Sequence, residues 1–456
     1  MSARTDLLAR IRRHESPVGV VGLGYVGLPV AIGFAEAGFP VLGFDISERV
    51  VDTLRAGDSH ILDIDADRVA GAVGEGRFEP TTDFGRMGEA DALIICVPTP
   101  LSKTGDPDVS FIIDSTRKVR EHLRAGQLVI LESTTYPGTT RELVQPTLEE
   151  SGLEAGEDFF LAFSPERVDP GNPTWHLENT PKIVGGLTPD CHELAVALYA
   201  EVLDDVVEVS SPEAAELAKI LENTFRAVNI GLANEMAIIA DRLGIDIWEV
   251  IDAASTKPYG FMRFHPGPGL GGHCIPIDPH YLAWKMKTLQ YRTRFIELAA
   301  EVNAEMPRYV VARVTEALNA VEKSVKGSRL LLLGMAYKPN VDDTRESPAL
   351  DILQLLLQKG AEVRYHDPYV DSIALDGKRF ESVDLTDEEL ERANLVIVTT
   401  DHAAIDYDRV VRHAAIVVDP RNAVGEREGR ATVYPLAGPP TPGRAAGVGV
   451  SGPGGP

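Results

Sequence analysis

Three groups of residues in this chain have the types and spacing to do chemistry. The first is GLGGHCIPIDP, residues 269–279, where Cys274 follows a run of glycines and Asp278 stands four residues further on. A thiol at a helix N-terminus loses its proton readily and becomes a nucleophile. Pro276 suits the first turn of such a helix, and a helical turn would put Asp278 on the same face as Cys274. The competing reading, a small buried hydrophobe, is kept for Cys96, which lies in an apolar strand, and for Cys191. The second group is Lys219 and Asn223, also four apart, in ELAKILENTF. An ammonium and an amide side by side on one helical face can stabilise an oxyanion; spacing alone favours a solvated lysine with a polar neighbour. The third is Gly22, Gly24 and Gly27 in VVGLGYVGLP, a G-x-G-x-x-G that follows an apolar strand and precedes the helical pattern AIGFAEAG. Such glycines allow a tight turn and close backbone approach, so that a pyrophosphate can sit on the helix N-terminus. Asp45 ends the next strand, 23 residues after Gly22. A carboxylate there accepts hydrogen bonds from the adenosine ribose and repels a 2′-phosphate, which favours NAD over NADP.

These side chains need a scaffold, and the hydrophobic rhythm supplies one. VGVVGLG, PVLGFD, ADALIICVPTP, QLVILEST and DFFLAFSPE alternate with helical patterns. That is the pattern of a parallel sheet with crossover helices, and it predicts an α/β NAD-binding Rossmann domain over 1–209. Over 210–325 strand signals vanish. SPEAAELAKILENTFRAVNIGLANEMAIIADRLG opens on a Ser-Pro-Glu helix start and stops at Gly244, as expected of a helical region whose apolar stripe is either a core face or a dimer interface. RLLLLGMAYKP, SPALDILQLLLQKG, AEVRYHDP, NLVIVTTD and AAIVVDPRN then restore the α/β rhythm over 326–437. This second α/β domain lacks the glycine fingerprint. Lys338 and Arg345 occupy its first strand-to-helix loop instead, which suits an anion other than a second dinucleotide. The Gly/Pro-rich end, 438–456, is expected to be a disordered tail.

Composition sets outer limits. With 456 residues, two or three domains are expected. A net charge of -25 argues against nucleic acid as a partner. No apolar run approaches the roughly 18 residues of a membrane span, and the charged N-terminal stretch is unlike a signal peptide, so no membrane association and a cytoplasmic location are expected. Three scattered cysteines make no disulfide framework, and no Cys/His group has metal spacing.

Assembled in order, GLGYVGLP, CVPTPL with PDVSFI, LESTTYPGTT, SPERVDPGN, AAELAKILENTFRAVNIGLANEMA, PGPGLGGHCIPIDP and LGMAYKPNVDDTRESP resemble the UDP-glucose/GDP-mannose dehydrogenase family over nearly everything from Gly19 to Asn422. In detail they are most similar to its bacterial branch acting on UDP-N-acetylglucosamine. The resemblance implies an N-terminal Rossmann domain, a central helical region that forms a homodimer, and a C-terminal Rossmann-like domain gripping UDP. It also implies oxidation of the sugar C6 alcohol to the carboxylate with two NAD molecules and no metal. UDP-N-acetylmannosamine and UDP-glucose are the alternative substrates.

Residue by residue, Cys274 matches the nucleophile that captures the aldehyde as a thiohemiacetal, later a thioester. Lys219 and Asn223 match the pair that steadies alkoxide and oxyanion, Asp278 the carboxylate near the thiol, and Thr134 and Glu166 the groups that handle water and protons. Gly22, Gly24, Tyr25, Val26, Gly27, Asp45, Thr99, Thr134 and Arg345 match cofactor contacts. Glu166, Lys219, Asn223, Gly271, Lys338 and Arg421 match substrate contacts, with His402 a further strand-end candidate. Two positions depart from the UDP-glucose branch: Pro170 replaces a second glutamate, and His273 replaces the serine before the nucleophile.

Overall fold

The computed structural model describes residues 2–61, 64–102, 106–167, 172, 174–272 and 274–443. The chain divides into two compact units, one of Met1–Asn223 with Ile277–Arg292 and one of Thr224–Pro276 with Thr293–Pro456.

The first unit is built on strands β1 (Val18–Val21), β2 (Val41–Phe44), β3 (Phe78–Thr81), β4 (Ala92–Ile95), β5 (Leu128–Leu131), β6 (Phe160–Phe163), β7 (Lys182–Gly186) and β8 (Val206–Val209). Their order is β3-β2-β1-β4-β5-β6-β7-β8, parallel throughout except for the antiparallel β6–β7 pair. The five apolar runs read from the sequence are β1, β2, β4, β5 and β6, each buried along its whole length because helices cover both faces of the sheet. The other three strands carry no such run. β3 contains Pro80 and is tolerated because it forms the sheet edge. β8, at the opposite edge, is only partly buried. β7 begins with a lysine and ends in Gly185 and Gly186, where side chains would collide with the backbone of Ser211 and His192.

Strand order reverses between β1 and β4, and the loops leaving these two carboxyl ends open a crevice of the kind that binds ligands in such sheets. One more helix belongs to this unit although the chain on either side of it lies in the other: Asp278–Thr288 packs Tyr281, with Ile277, on Tyr136 and Ile220.

The second unit holds β9 (Arg329–Leu333), β10 (Glu362–His366), β13 (Leu395–Val398), β14 (Ile416–Asp419) and β15 (Thr432–Pro435) in the all-parallel order β10-β9-β13-β14-β15, plus a hairpin of β11 (Ser372–Leu375) and β12 (Lys378–Glu381). Both sheets bear out the α/β reading. The second unit's core also takes in the helices Ile247–Ser255 and Arg294–Asn319. The long helix Pro212–Leu243 starts and stops where its sequence indicates: proline fits the first turn, and Gly244 takes a left-handed φ of +68° just past its end. Thr441 exchanges two hydrogen bonds with Val433, at 2.8 and 2.9 Å, so the chain expected to be a disordered tail from residue 438 is ordered as far as Gly443. Residues 444–456 lie outside the described residues.

Candidate active site

In the first unit the glycine turn after β1 has the shape its sequence requires. Gly22 has φ +91°, and a methyl group on it would stand 2.6 Å from the Cys96 carbonyl oxygen. A side chain on Gly27 would collide with the Gly22 carbonyl, so only glycine lets the helix Gly27–Glu36 start this close to the strand. Gly24 faces open space, with no atom within 4 Å of where a side chain would begin. No side chain caps this helix at Val26, which leaves its N-terminus to attract an anion. Asp45, half-buried after β2, accepts from the Leu23 amide at 3.0 Å and the Ser47 amide at 2.9 Å. Its carboxylate is thereby fixed beside the turn with acceptor capacity remaining for ribose hydroxyls. This cradle fits a dinucleotide.

Lys219 and Asn223 lie on the long helix, and Lys219 is only 7% exposed. The solvated-lysine reading therefore fails. Asn223 donates from Nδ2 to the Asp278 carboxylate, which is buried at the first turn of the Asp278–Thr288 helix. Burial raises Asp278 to a pKa of about 6, against the opposing charge of Lys219 and the Asn223 hydrogen bond. One turn on, the Tyr281 hydroxyl donates to the Pro100 carbonyl at 3.1 Å and hydrogen-bonds the Thr99 side chain. Thr99 follows β4, at the mouth of the crevice. Thr134, half-buried, follows β5. The loop beyond Thr134 is tied to the long helix by the fully buried Glu216, which accepts from the Gly138 amide at 2.5 Å, the Thr140 amide at 2.9 Å and the Thr140 hydroxyl at 2.7 Å.

Cys274 is exposed and belongs to the other unit. The helix expected to start around Pro276 starts at Asp278, with Ile277 at its N-cap and a turn over 275–277. Cys274 is thus not on that helix and shares no helical face with Asp278. A second proline, Pro279, takes the first-turn position instead.

In the second unit the glycine-rich loop around Gly271 is held from two sides. Asn234, hydrogen-bonded to Asn303 at 2.8 Å, accepts the Gly267 amide at 2.8 Å. Side chains on Gly271 and Gly272 would strike Tyr337, each at 2.7 Å, and the Gly272 amide donates to the Arg345 carbonyl at 3.1 Å. Gly271, Lys338 and Arg345 are therefore brought to one region. Arg345 forms a two-pronged ion pair with Asp343 at 2.6–3.0 Å. Arg421, after β14, donates through Nε to the Thr399 carbonyl at 3.0 Å, and its guanidinium lies against Gly267. His402 differs from expectation. It is fully buried, its Nδ1 accepts from the Asn340 amide at 3.0 Å, and its Nε2 donates to Asp367 at 3.1 Å. Asp367 also accepts the amides of Met335, Ala336, Tyr369 and Val370. It holds the position after β10 that Asp45 holds after β2, but its acceptors are filled from within the protein, and with His402 it braces the loop after β9. Pro170 and His273 lie outside the described residues.

Sequence reasoning passed over a buried charged group in the first unit. Lys182, 3% exposed, pairs with Glu132, whose other oxygen accepts from Tyr199 at 2.7 Å. The available signal was a glutamate at the end of the strand LVIL and a lysine opening KIVGG. Among the described residues no three His, Cys, Asp or Glu side chains gather as a metal site, and no helix is long and apolar enough to cross a membrane.

Comparison with known proteins places these features. Three family models match in order: the UDP-glucose/GDP-mannose dehydrogenase family NAD binding domain over residues 16–203, its central domain over 213–305 and its UDP binding domain over 331–426. The chain is 39% identical over 355 residues to a UDP-N-acetyl-D-glucosamine 6-dehydrogenase of Pseudomonas aeruginosa, covering 77% of this chain and 83% of that one. It is 35% identical over 417 residues to a UDP-N-acetyl-D-mannosamine dehydrogenase of Pyrococcus horikoshii, covering 90% and 96%. A solved structure of a Pyrococcus horikoshii UDP-D-ManNAc dehydrogenase superposes with a TM-score of 0.85 at 34% identity, covering 92% of this chain and 99% of that one. With a dinucleotide cradle on one Rossmann sheet, a second sheet matched as a UDP-binding domain and a helical region between them in sequence, the chain belongs to the UDP-glucose/GDP-mannose dehydrogenase family of NAD-dependent nucleotide-sugar dehydrogenases.

Proposed function

We propose that this enzyme oxidises the C6 alcohol of UDP-N-acetylglucosamine to the uronic acid in two steps, consuming two NAD. The observation that carries the reading is the Lys219–Asn223–Asp278 group, with its lysine and aspartate buried and its asparagine half-buried, in the same unit as the dinucleotide cradle. A buried ammonium with an amide beside it stabilises negative charge developing on a sugar oxygen better than the same groups in water. NAD, when bound, accepts the hydride at each oxidation. Gly22, Gly24, Tyr25, Val26 and Gly27 cradle its pyrophosphate, Asp45 takes its ribose, and Thr99, Thr134 and Arg345 complete its contacts. Gly271, Lys338 and Arg421 hold the UDP-sugar.

The C6 hydroxyl gives its proton to water, and Lys219 and Asn223 steady the resulting alkoxide as the first hydride leaves. The Cys274 thiolate adds to the resulting aldehyde, forming a C–S bond, and loss of the second hydride turns this thiohemiacetal into a thioester. Water then adds to the thioester carbonyl. Its proton passes to Glu166, positioned with Thr134, and the C–S bond breaks with its electron pair returning to sulfur. Asp278 stays close to the ammonium and offsets its charge. Capture on sulfur keeps the aldehyde from diffusing away between oxidations.

The domains are read as 1–209 for NAD, 210–325 as the central helical region and 326–437 for the UDP-sugar. The protein is read as a cytoplasmic homodimer through the central helices. Leu221, Phe225, Leu232, Met236, Ile239 and Leu243 leave an apolar stripe exposed along the long helix, a face that a second copy would cover. UDP-N-acetylmannosamine is the second substrate reading, supported by a relative of that name aligned over 90% of the chain. Purified UDP-sugars decide between them by NADH formed per sugar consumed. Two NADH from the glucosamine compound supports the proposal. One NADH per sugar rejects the thioester route, and turnover of the mannosamine epimer alone rejects the substrate.

A further inference from the structure

The buried Lys182 lies within the first unit, at the start of β7. Its Nζ pairs with Glu132 at the end of β5, and Tyr199, from the helix Pro189–Ala200, donates to the other Glu132 oxygen at 2.7 Å. Glu132 is thus gripped on both oxygens and cannot turn away. The same Nζ stands 3.8 Å from Oε2 of Glu166, which follows β6. Two carboxylates therefore share one ammonium, with side-chain exposures of 0%, 3% and 12% for Glu132, Lys182 and Glu166. Among the described residues, charged or titratable groups facing Glu166 include the buried Cys96 thiol after β4 and the adjacent Arg167, whose amide donates to Glu166 at 2.6 Å and whose guanidinium is engaged by Glu222 of the long helix at 2.7 Å. Lys182 is thus the buried cation nearest the Glu166 carboxylate among these groups, and it is anchored from behind. Burying three charged groups together is expensive, and the mechanism given above uses only Glu166.

We propose that Lys182 is a positioning residue for Glu166: anchored on Glu132 and Tyr199, its ammonium fixes the Glu166 carboxylate in place and in the charged form that accepts a proton from water. The inference rests on the proton-handling role read for Glu166. Protonation states agree with a shared ammonium. Burial and the Glu166 charge push the Glu132 carboxyl upward, while the Lys182 ammonium and the Tyr199 hydroxyl hold it toward the charged form. For Lys182 burial pulls downward, yet Glu132 and Glu166 together hold it above its ordinary value. The lysine keeps its proton, and Glu132 competes with Glu166 for it.

That competition gives the test a sign. Removing Glu132's charge leaves the ammonium to Glu166 alone, which becomes the stronger acid; removing Lys182 makes Glu166 the weaker acid. Release of uronate is followed by rapid quench after the second hydride transfer, as a function of pH, with whichever of UDP-N-acetylglucosamine and its mannosamine epimer is oxidised. Glu166→Gln comes first. Persistence of the acid limb in that variant removes Glu166 from the proton transfer, and with it both the earlier reading and this inference. If the limb disappears, Glu132→Gln is expected to lower its pKa and Lys182→Met to raise it, each by about one unit, the size of shift that one charge at this range produces. Lys182→Arg is expected to keep it near the wild-type position. A merely structural role would lower the rates of both variants without moving the limb in opposite directions. Lys182→Met leaves Glu132 buried without its cation and can fail to fold; Glu132→Gln creates no unpaired charge and then decides alone. A limb that stays put or rises in Glu132→Gln overturns the inference while leaving Glu166's role intact.

Discussion

Glu216 offers a test of how the long helix holds the loop that carries Thr134. Its carboxylate is fully buried and accepts two backbone amides and one hydroxyl from Gly138 and Thr140. Burial raises its pKa from 4.5 to about 7, the three donors opposing and the nearby Glu213 charge adding. A carboxyl whose pKa is raised on folding binds its proton more tightly in the native state, so its contribution to stability falls as pH rises from about 4.5 to about 7 and is level above that. At 1.36 kcal/mol per unit, this loss is at most about 3 kcal/mol. Glu216→Gln removes the titration. It also turns an amide N–H₂ toward a backbone donor and so loses one acceptor, at about 1–3 kcal/mol. The variant should therefore be less stable than wild type at about pH 5, and the gap should narrow or close by about pH 8. Unfolding of a two-unit chain need not be two-state, so the readout is local: hydrogen exchange of the peptide spanning residues 132–144 at several pH values. A gap in opening free energy that is constant with pH, or widens as pH rises, refutes the assignment of a raised carboxyl at this position.

Other expectations are simpler to check. Cys274→Ala should retain NAD affinity by calorimetry yet form no uronic acid, because the first hydride transfer does not involve the thiol; normal uronate yield counts against covalent capture. Asp45→Ala loses the carboxylate that accepts two amides and that is proposed to accept the ribose hydroxyls, and should weaken NAD binding by roughly ten- to a hundredfold. Equal affinity in a titration would remove Asp45 from the cofactor site. Gly27→Ala drives a methyl group into the Gly22 carbonyl and should abolish NAD binding while UDP binding, measured separately, persists. Lys219→Met should lower kcat by about 10²–10³ with little change in NAD affinity; a loss confined to KM would mean that the lysine binds substrate equally in ground and transition states.

The sequence alone settled whatever depends on local backbone geometry and on periodicity. Gly22, Gly24, Gly27 and Asp45 were legible because a tight turn, an uncapped helix start and a strand-end carboxylate are demands made within a few residues, and Pro212 and Gly244 marked a helix for the same reason. The buried runs of β1, β4, β5, β9 and β13 announced sheets covered on both faces. Strands without an apolar run stayed hidden, since β3 and β8 lie at edges and β7 is shaped by close backbone approach.

What only tertiary structure decided is which charges lose their water. Lys219 reads on paper like any surface lysine. It is buried because the Asp278–Thr288 helix, 55 residues beyond Asn223 along the chain, joins the first unit and sets its carboxylate against Asn223. Lys182 and Glu132, 50 residues apart, and Glu216 and Gly138, 78 apart, likewise meet only through the sheet and the long helix. His402 shows the converse, a polar strand-end residue that reads as a ligand contact and folds into an internal brace with Asp367. Desolvation and pairing depend on distant partners, and no local pattern of residues encodes them.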